Sequence, residues 1–348
     1  MKKNKNLGCL SLLLLCPLTM AMQPLDDETL STTTGQDGLT IGVGVSKVDF
    51  NQIALINTNN STYTNKSALV VAATPGASSP AVGVNFVQTF NADGTIQNNT
   101  SQSSLQVVID TDKGTGTKGA FANMNVSFAS GVNGLRIRPL SVYLVPDNIN
   151  AISSIAGSYT RNSIFNPSTT TLKSPNIKEL LRTDNIDIEF VANNKPGMNI
   201  QLGASPQGYL VVFDGALKSI CGATAARPDG CTFNLVSGST GAMFDLQMTG
   251  KDNTANGFSL SGFHAGVEGA AGSDKGGFVF GNYNSTCATT PSTCVTSDKF
   301  DLAINNLKLG DVGSTNANIF NGLPNGSMGN FGIKGASITD FKMRVSGM

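Results

Sequence analysis

His264 is the one imidazole in this 348-residue chain, so any serine–histidine or metal–imidazole chemistry must pass through it. Its surroundings, FSLSGFHAGVEG, supply Ser259 and Ser261. Neither serine lies in the Gly-x-Ser-x-Gly turn that exposes a nucleophile between strand and helix. His264 also alternates out of phase with Phe263, Ala265 and Val267, which places it toward solvent or on the weaker face of a sheet. Asp110, Asp112 and Gly114 open like a calcium loop, but Gly114 stands where an Asp or Asn is needed, Thr115 where a Gly is needed, and the closing glutamate is missing. A hairpin turn is the better reading. The following GTGTKG lacks the spacing and the Lys-Ser/Thr ending of a phosphate loop. Asp187 and Glu189 sit two apart on one strand, an arrangement that can do acid–base work on a sugar. With no Trp and five Tyr in the chain, they read instead as a solvated sheet face. No catalytic, cofactor-binding or metal-binding residue is assigned.

The cysteines carry a clearer message. Cys9 and Cys16 fall in the leader, which leaves Cys221, Cys231, Cys287 and Cys294. An even number in an exported chain argues for disulfides, with three connectivities open to four cysteines. We favour Cys221 with Cys231 and Cys287 with Cys294, because GATAARPDG and ATTPST between them read as loops whose ends a hairpin would bring together. Zinc is disfavoured by the wide gaps and the single histidine.

These residues must be positioned by strands. Ile41, Val43 and Val45 alternate with small or polar residues, and the same period of two returns in Leu105 to Ile109, in Met124, Val126 and Phe128, and in Leu140, Val142 and Leu144. It continues through Ile186, Ile188 and Phe190, then Met198, Ile200 and Leu202, then Phe300, Leu302 and Ile304. It ends in Phe341, Met343 and Val345, with Lys342 and Arg344 on the other face. One-sided alternation favours antiparallel sheets. The fold class expected is all-β, a β-sandwich or an extended meander. One interruption stands out: Ser174-Pro175 followed by Ile177, Leu180 and Leu181 predicts a short helix in a central connecting segment.

Met1 to Ala21 has the three parts of a secretory signal: Lys2, Lys3 and Lys5, the apolar run Leu7 to Leu15, and a small-residue exit. Cleavage is expected between Ala21 and Met22. Losing those lysines leaves 20 basic against 23 acidic groups, which offers no footprint for nucleic acid. Beyond the leader no run reaches the roughly eighteen apolar residues of a transmembrane helix. The organisation expected is a signal peptide at 1–21, a motif segment at 22–38, a β region at 39–146, a linker with the short helix at 147–184, and a second β region at 185–348.

The motif segment reads PLDDETLSTTTGQDGLTI. Leu25 and Leu30 flank an acidic run suited to the first turn of a short helix, Gly35 can cap it, and Asp37-Gly38 signals a turn into a strand at Leu39-Thr40-Ile41. Met22, Pro24, Leu25, Asp26, Asp27, Leu30, Thr34, Gly35, Gln36, Asp37, Gly38, Leu39, Thr40 and Ile41 together resemble the start of a family of exported Gram-negative proteins, some of them predicted pilus-system components. The resemblance covers about twenty positions and carries no catalytic residues. It implies a non-enzymatic surface, pilus or adhesion-related role beside other pilus-system or cell-envelope proteins. An outer-membrane β-barrel is the first alternative, weakened by the missing Trp and by Ser346-Gly347-Met348 at the C-terminus. A secreted hydrolase or a periplasmic lipid-handling protein remains behind it.

Overall fold

The computed structural model describes residues 38–56, 67–100, 103–115, 119–146, 163–269, 276–312, 319–324 and 326–346. The signal segment and most of the motif segment, with its expected short helix, lie outside the described residues. Gly38 takes the positive φ that the Asp37-Gly38 turn calls for, and a strand follows at once.

The strands in chain order begin with β1 (Leu39–Val43), β2 (Lys47–Phe50), β3 (Gln52–Ile56), β4 (Ser67–Ala73), β5 (Val82–Phe90) and β6 (Ile96–Asn98). Next come β7 (Leu105–Asp112), β8 (Phe121–Phe128), β9 (Gly134–Ile137), β10 (Leu140–Pro146), β11 (Lys178–Thr183) and β12 (Ile186–Phe190). They continue with β13 (Gly197–Gly203), β14 (Val211–Asp214), β15 (Ala216–Ile220), β16 (Cys231–Ser237), β17 (Thr240–Gly250) and β18 (Phe258–Ser259). The last are β19 (His264–Glu268), β20 (Gly277–Gly281), β21 (Phe300–Asp311), β22 (Phe331–Ala336) and β23 (Lys342–Ser346). The only helices among the described residues are two single 3₁₀ turns.

These strands build two antiparallel sheets, so the fold is all-β as the alternation implies. The first sheet has eight strands in the order β1-β7-β8-β13-β14-β19-β20-β23, which is also their chain order. The second runs β2-β5-β9-β12-β15-β17-β16-β11-β10-β4-β3, with β6, β18, β21 and β22 attached beside it. Its two end strands, β2 and β3, are separated in the chain by Asn51 alone. The path therefore comes back nearly to its start, as in a barrel that is almost closed.

The chain crosses repeatedly between the sheets, so 39–146 and 185–348 each contribute strands to both. Leu39–Met348 cluster as one compact unit. One core packs Ala68, Val70 and Ala72 of β4 with Tyr143 and Val145 of β10 against Ile164, Phe165 and Ile177. A second joins the sheets: Phe86 and Phe190 of the second meet Phe128 and Leu105 of the first, with Phe128 at 4.6 Å from Phe190, ring centre to ring centre.

The short helix expected after Ser174-Pro175 is not formed. Residues 178–183 are β11, bonded to β10 on one side and β16 on the other. The described part of the expected linker, 163–184, supplies Ile164, Phe165 and Ile177 to the core and the whole of β11 to the sheet, with exposed turns between them. A bulge explains why the pattern misled: register passes from Val142↔Leu181 to Tyr143↔Glu179, skipping Leu180. That one extra residue turns Glu179 inward and breaks the period of two, leaving Ile177, Leu180 and Leu181 at a helical spacing. Two ladders satisfy the backbone where one turn of helix could not.

Candidate functional site

The first sheet presents one face that is apolar from edge to edge. Register places Leu39, Ile109, Met124, Ile200, Val211, Ala265, Phe280 and Met343 in a single row across all eight strands. Beside it run Ile41–Val107–Val126–Met198–Phe213 and Val267–Phe278–Val345. Side chains two apart share a face, so this is the direct product of the alternation. The face is covered where Phe128 and Leu105 enter the shared core, and again where Phe263 stacks on Phe280 beside the buried Ala265. Toward the edges it is open, with Leu39 at 59% and Val267 at 73% exposure. Contiguous apolar surface of this kind marks a place where something binds.

The opposite face of the same sheet is mostly polar and carries His264. Thr40, Val108, Asn125, Asn199, Val212, His264, Gly281 and Lys342 form its central row. Of the two places expected for His264, solvent or the weaker sheet face, the structure gives the second: it lies on this polar face and is 4% exposed. Tyr209 stacks on its ring at 3.4 Å between centroids and Tyr283 lies 4.5 Å away. Nδ1 lies 3.3 Å from the Gly262 carbonyl, which can only accept, so that nitrogen carries the proton. Nε2 is buried with no partner among the described residues. Burial lowers the imidazole pKa, against a smaller opposite effect of the Gly262 bond, and keeps the ring neutral. Ser259 Oγ, the other member of the imagined dyad, accepts from the Ser261 amide.

Next to the ring is a cleft of about 530 Å³ lined by Tyr209, Tyr283, Gln201, Glu268 and Val279 among others. It opens where β14 and β19 stop pairing, after only two residue pairs. Glu268 Oε1 accepts from Lys342 Nζ at 2.5 Å, and that ammonium lies 4.7 Å from the Tyr283 ring centre. Gln201 donates to Asn123 and accepts from the Gln207 amide. The tyrosines were not legible as partners of His264, since they lie 55 and 19 positions away in loops or at strand ends.

Asp187 also departs from the expectation of a solvated face, while its strand neighbour Glu189 stays partly exposed. Asp187 is buried and pairs through both oxygens with Arg136, at 2.5 and 2.7 Å, and with Arg227. Arg136 stands opposite it in the ladder, and Arg227 reaches in from the loop closed by the Cys221–Cys231 bridge. A lone Arg inside the apolar strand GLRI was the available signal for a buried partner. Glu189 pairs with Lys218 at the bulge between β12 and β15. A further buried acid, Glu179, accepts from Arg182 twice, from Ser141 and from the Phe320 amide. It raises the pKa of neighbouring Tyr143 in the same direction as the larger effect of burial.

Asp110 and Asp112 sit at the exposed tip of the β7–β8 hairpin, where Asp112 accepts from the Gly114 amide at 2.6 Å. Among the described residues no group of acids, His and Cys is placed to hold a metal ion. Both expected disulfides are present, Cys221–Cys231 and Cys287–Cys294. They are compatible with an oxidising compartment. Among the described residues no helix is long and apolar enough to cross a membrane, which leaves strands out of consideration. No curated protein and no solved structure matches the chain. Residues 1–113, which contain the motif segment and β1 to β7, match the model of a family of unknown function, DUF6160.

Proposed function

We propose that this protein is an exported, non-enzymatic component of the cell envelope, displayed at the surface or within a pilus system, and that it acts by association through its first sheet. The observation that carries this reading is the apolar row that spans eight strands and stays open at both ends. A sheet face of that extent has a free-energy incentive to be covered, at about 25 cal/mol for each Å² removed from water. The motif between Pro24 and Gly38, similar to exported pilus-system proteins, supports the location, and the two disulfides fit it. The test is fractionation with protease shaving of intact cells. Cleavage on whole cells, with release by mild shear, is the expected result. A soluble species protected in the periplasm overturns the reading.

A second reading has its own observation. The path of the second sheet returns nearly to its start, and Ile53, Val71, Val142, Leu181, Leu235, Ala242 and Leu309 form an apolar row on the face opposite the buried ion pairs. Apolar outside and ionic inside is the pattern of a barrel held in an outer membrane. Extraction only by detergent, with heat-dependent mobility on a gel, would favour this reading over the first.

A further inference from the structure

We propose that copies of this chain add to one another edge to edge, strand β23 of one pairing antiparallel with strand β1 of the next. This rests on the association reading above and names its partner as a second copy. Among the described residues β1 is bonded only to β7 and β23 only to β20, so each ends the first sheet.

The direction of pairing follows from the strand count. Eight strands, each antiparallel to the next, leave β1 and β23 running in opposite senses. A copy shifted along the sheet therefore brings its β1 antiparallel to β23, and the alternation continues without a break. The two strands have the same length, five residues each. They also match in pattern, Leu39, Ile41 and Val43 facing the side that Met343 and Val345 face, so the apolar rows run on across the junction. Sheets usually protect such edges with proline, bulges or inward charges. Neither strand contains a proline, and neither ladder is bulged or carries a charge on its apolar side.

Charge selects this pairing over the symmetric ones. β23 carries Arg344 and Lys342 on its polar face, Lys342 paired with Glu268 of β19, and two β23 edges would set the remaining excess of positive charge against itself. β1 has no charge, and behind it β7 places Asp110 and Asp112 on the same polar side. Head-to-tail addition thus brings a basic edge toward an acidic flank. A contact between two different edges is heterologous and does not close on itself unless the rotation happens to make a ring. The right-handed twist of strands would accumulate from copy to copy.

The test uses the whole exported chain in analytical ultracentrifugation and negative-stain microscopy, with two variants that point a lysine inward at each edge. Unmodified protein is expected to form a concentration-dependent series of species at multiples of the single-copy mass. Ile41→Lys alone and Val345→Lys alone are each expected to stay single-copy, with unchanged circular dichroism. Mixed, they should give a two-copy species and nothing longer, because one keeps β23 intact and the other keeps β1. Unmodified protein that stays single-copy at every concentration overturns the proposal. So does Val345→Lys pairing with itself, which would mean a symmetric β1 contact. Location is read separately by shaving: a displayed single-copy protein sinks only the edge pairing, and a polymer found only in the periplasm sinks only the surface reading.

Discussion

The two sheets share one sequence pattern and treat it in opposite ways. In both, apolar residues alternate with polar ones, so both have an oily and a polar face. The second sheet turns inward a mixed face, on which Arg136, Asp187, Arg227, Glu179 and Arg182 satisfy one another beside the apolar Val70, Tyr143 and Val145. The first sheet covers part of its polar face with Tyr209 and Tyr283 and leaves much of its apolar face open. Alternation tells which residues share a face. It does not tell which face is covered, because that depends on strands and loops brought in from far along the chain.

The largest effect expected is on the charged interior. Asp187→Ala would leave Arg136 and Arg227 buried without their carboxylate and should cost about 3–5 kcal/mol in urea unfolding. Asn125→Ala, on the polar face of the first sheet, should cost about 1 kcal/mol or less. Equal costs would break the contrast between the sheets.

Next come the disulfides. Both close short loops, so removing either should cost at most about 2–3 kcal/mol and leave the chain folded. Replacing Cys221 and Cys231 by serine should cost more than replacing Cys287 and Cys294, because the first pair closes the loop from which Arg227 reaches Asp187. Thermal melts of the two double variants rank them. The reverse order would sever the bridge from the ion cluster.

A pH effect of smaller size belongs to the first sheet. The folded pKa of His264 is below its unfolded value near 6.5, so the fold binds fewer protons than the unfolded chain in that range. Its contribution is fully present above about pH 6.5 and is lost as the pH falls toward the folded pKa, at a slope of up to about 1.4 kcal/mol per pH unit. His264→Phe should flatten that part of the stability profile while keeping the stack on Tyr209. An unchanged slope would mean that this ring does not carry the acid sensitivity.

Much of the architecture was legible in the sequence, and the failures have physical causes. Period-two runs such as Met124–Val126–Phe128 and Phe300–Leu302–Ile304 became strands, and the Cys pairs closed as their spacing suggested. The bulge at Leu180 made a strand look like a helix, since one inserted residue destroys the period on which the inference depends. The strand Gly277–Gly281, GFVFG, did not announce itself, because Phe278, Val279 and Phe280 are apolar in succession and show no period of two. His264 was placed on the correct face yet given the wrong environment. Contacts with Tyr209 and Tyr283 arise only after β19 and β20 have taken their places.

The smallest effect expected is at the edge of the first sheet, and it sharpens the contrast most. Leu39 is an apolar residue at the start of β1, yet it is 59% exposed, so Leu39→Thr removes little buried surface and keeps a branched side chain suited to a strand. The expected change in unfolding free energy is within about 0.5 kcal/mol. A matched change in the core, Val70→Thr on β4, buries an added hydroxyl where exposure is zero and should cost about 1–3 kcal/mol. The two substitutions are chemically similar, and only the covering of the face differs. If Leu39→Thr proves as costly as Val70→Thr, the apolar face of the first sheet is already covered within a single copy of the chain, and its proposed role as an association surface fails with it.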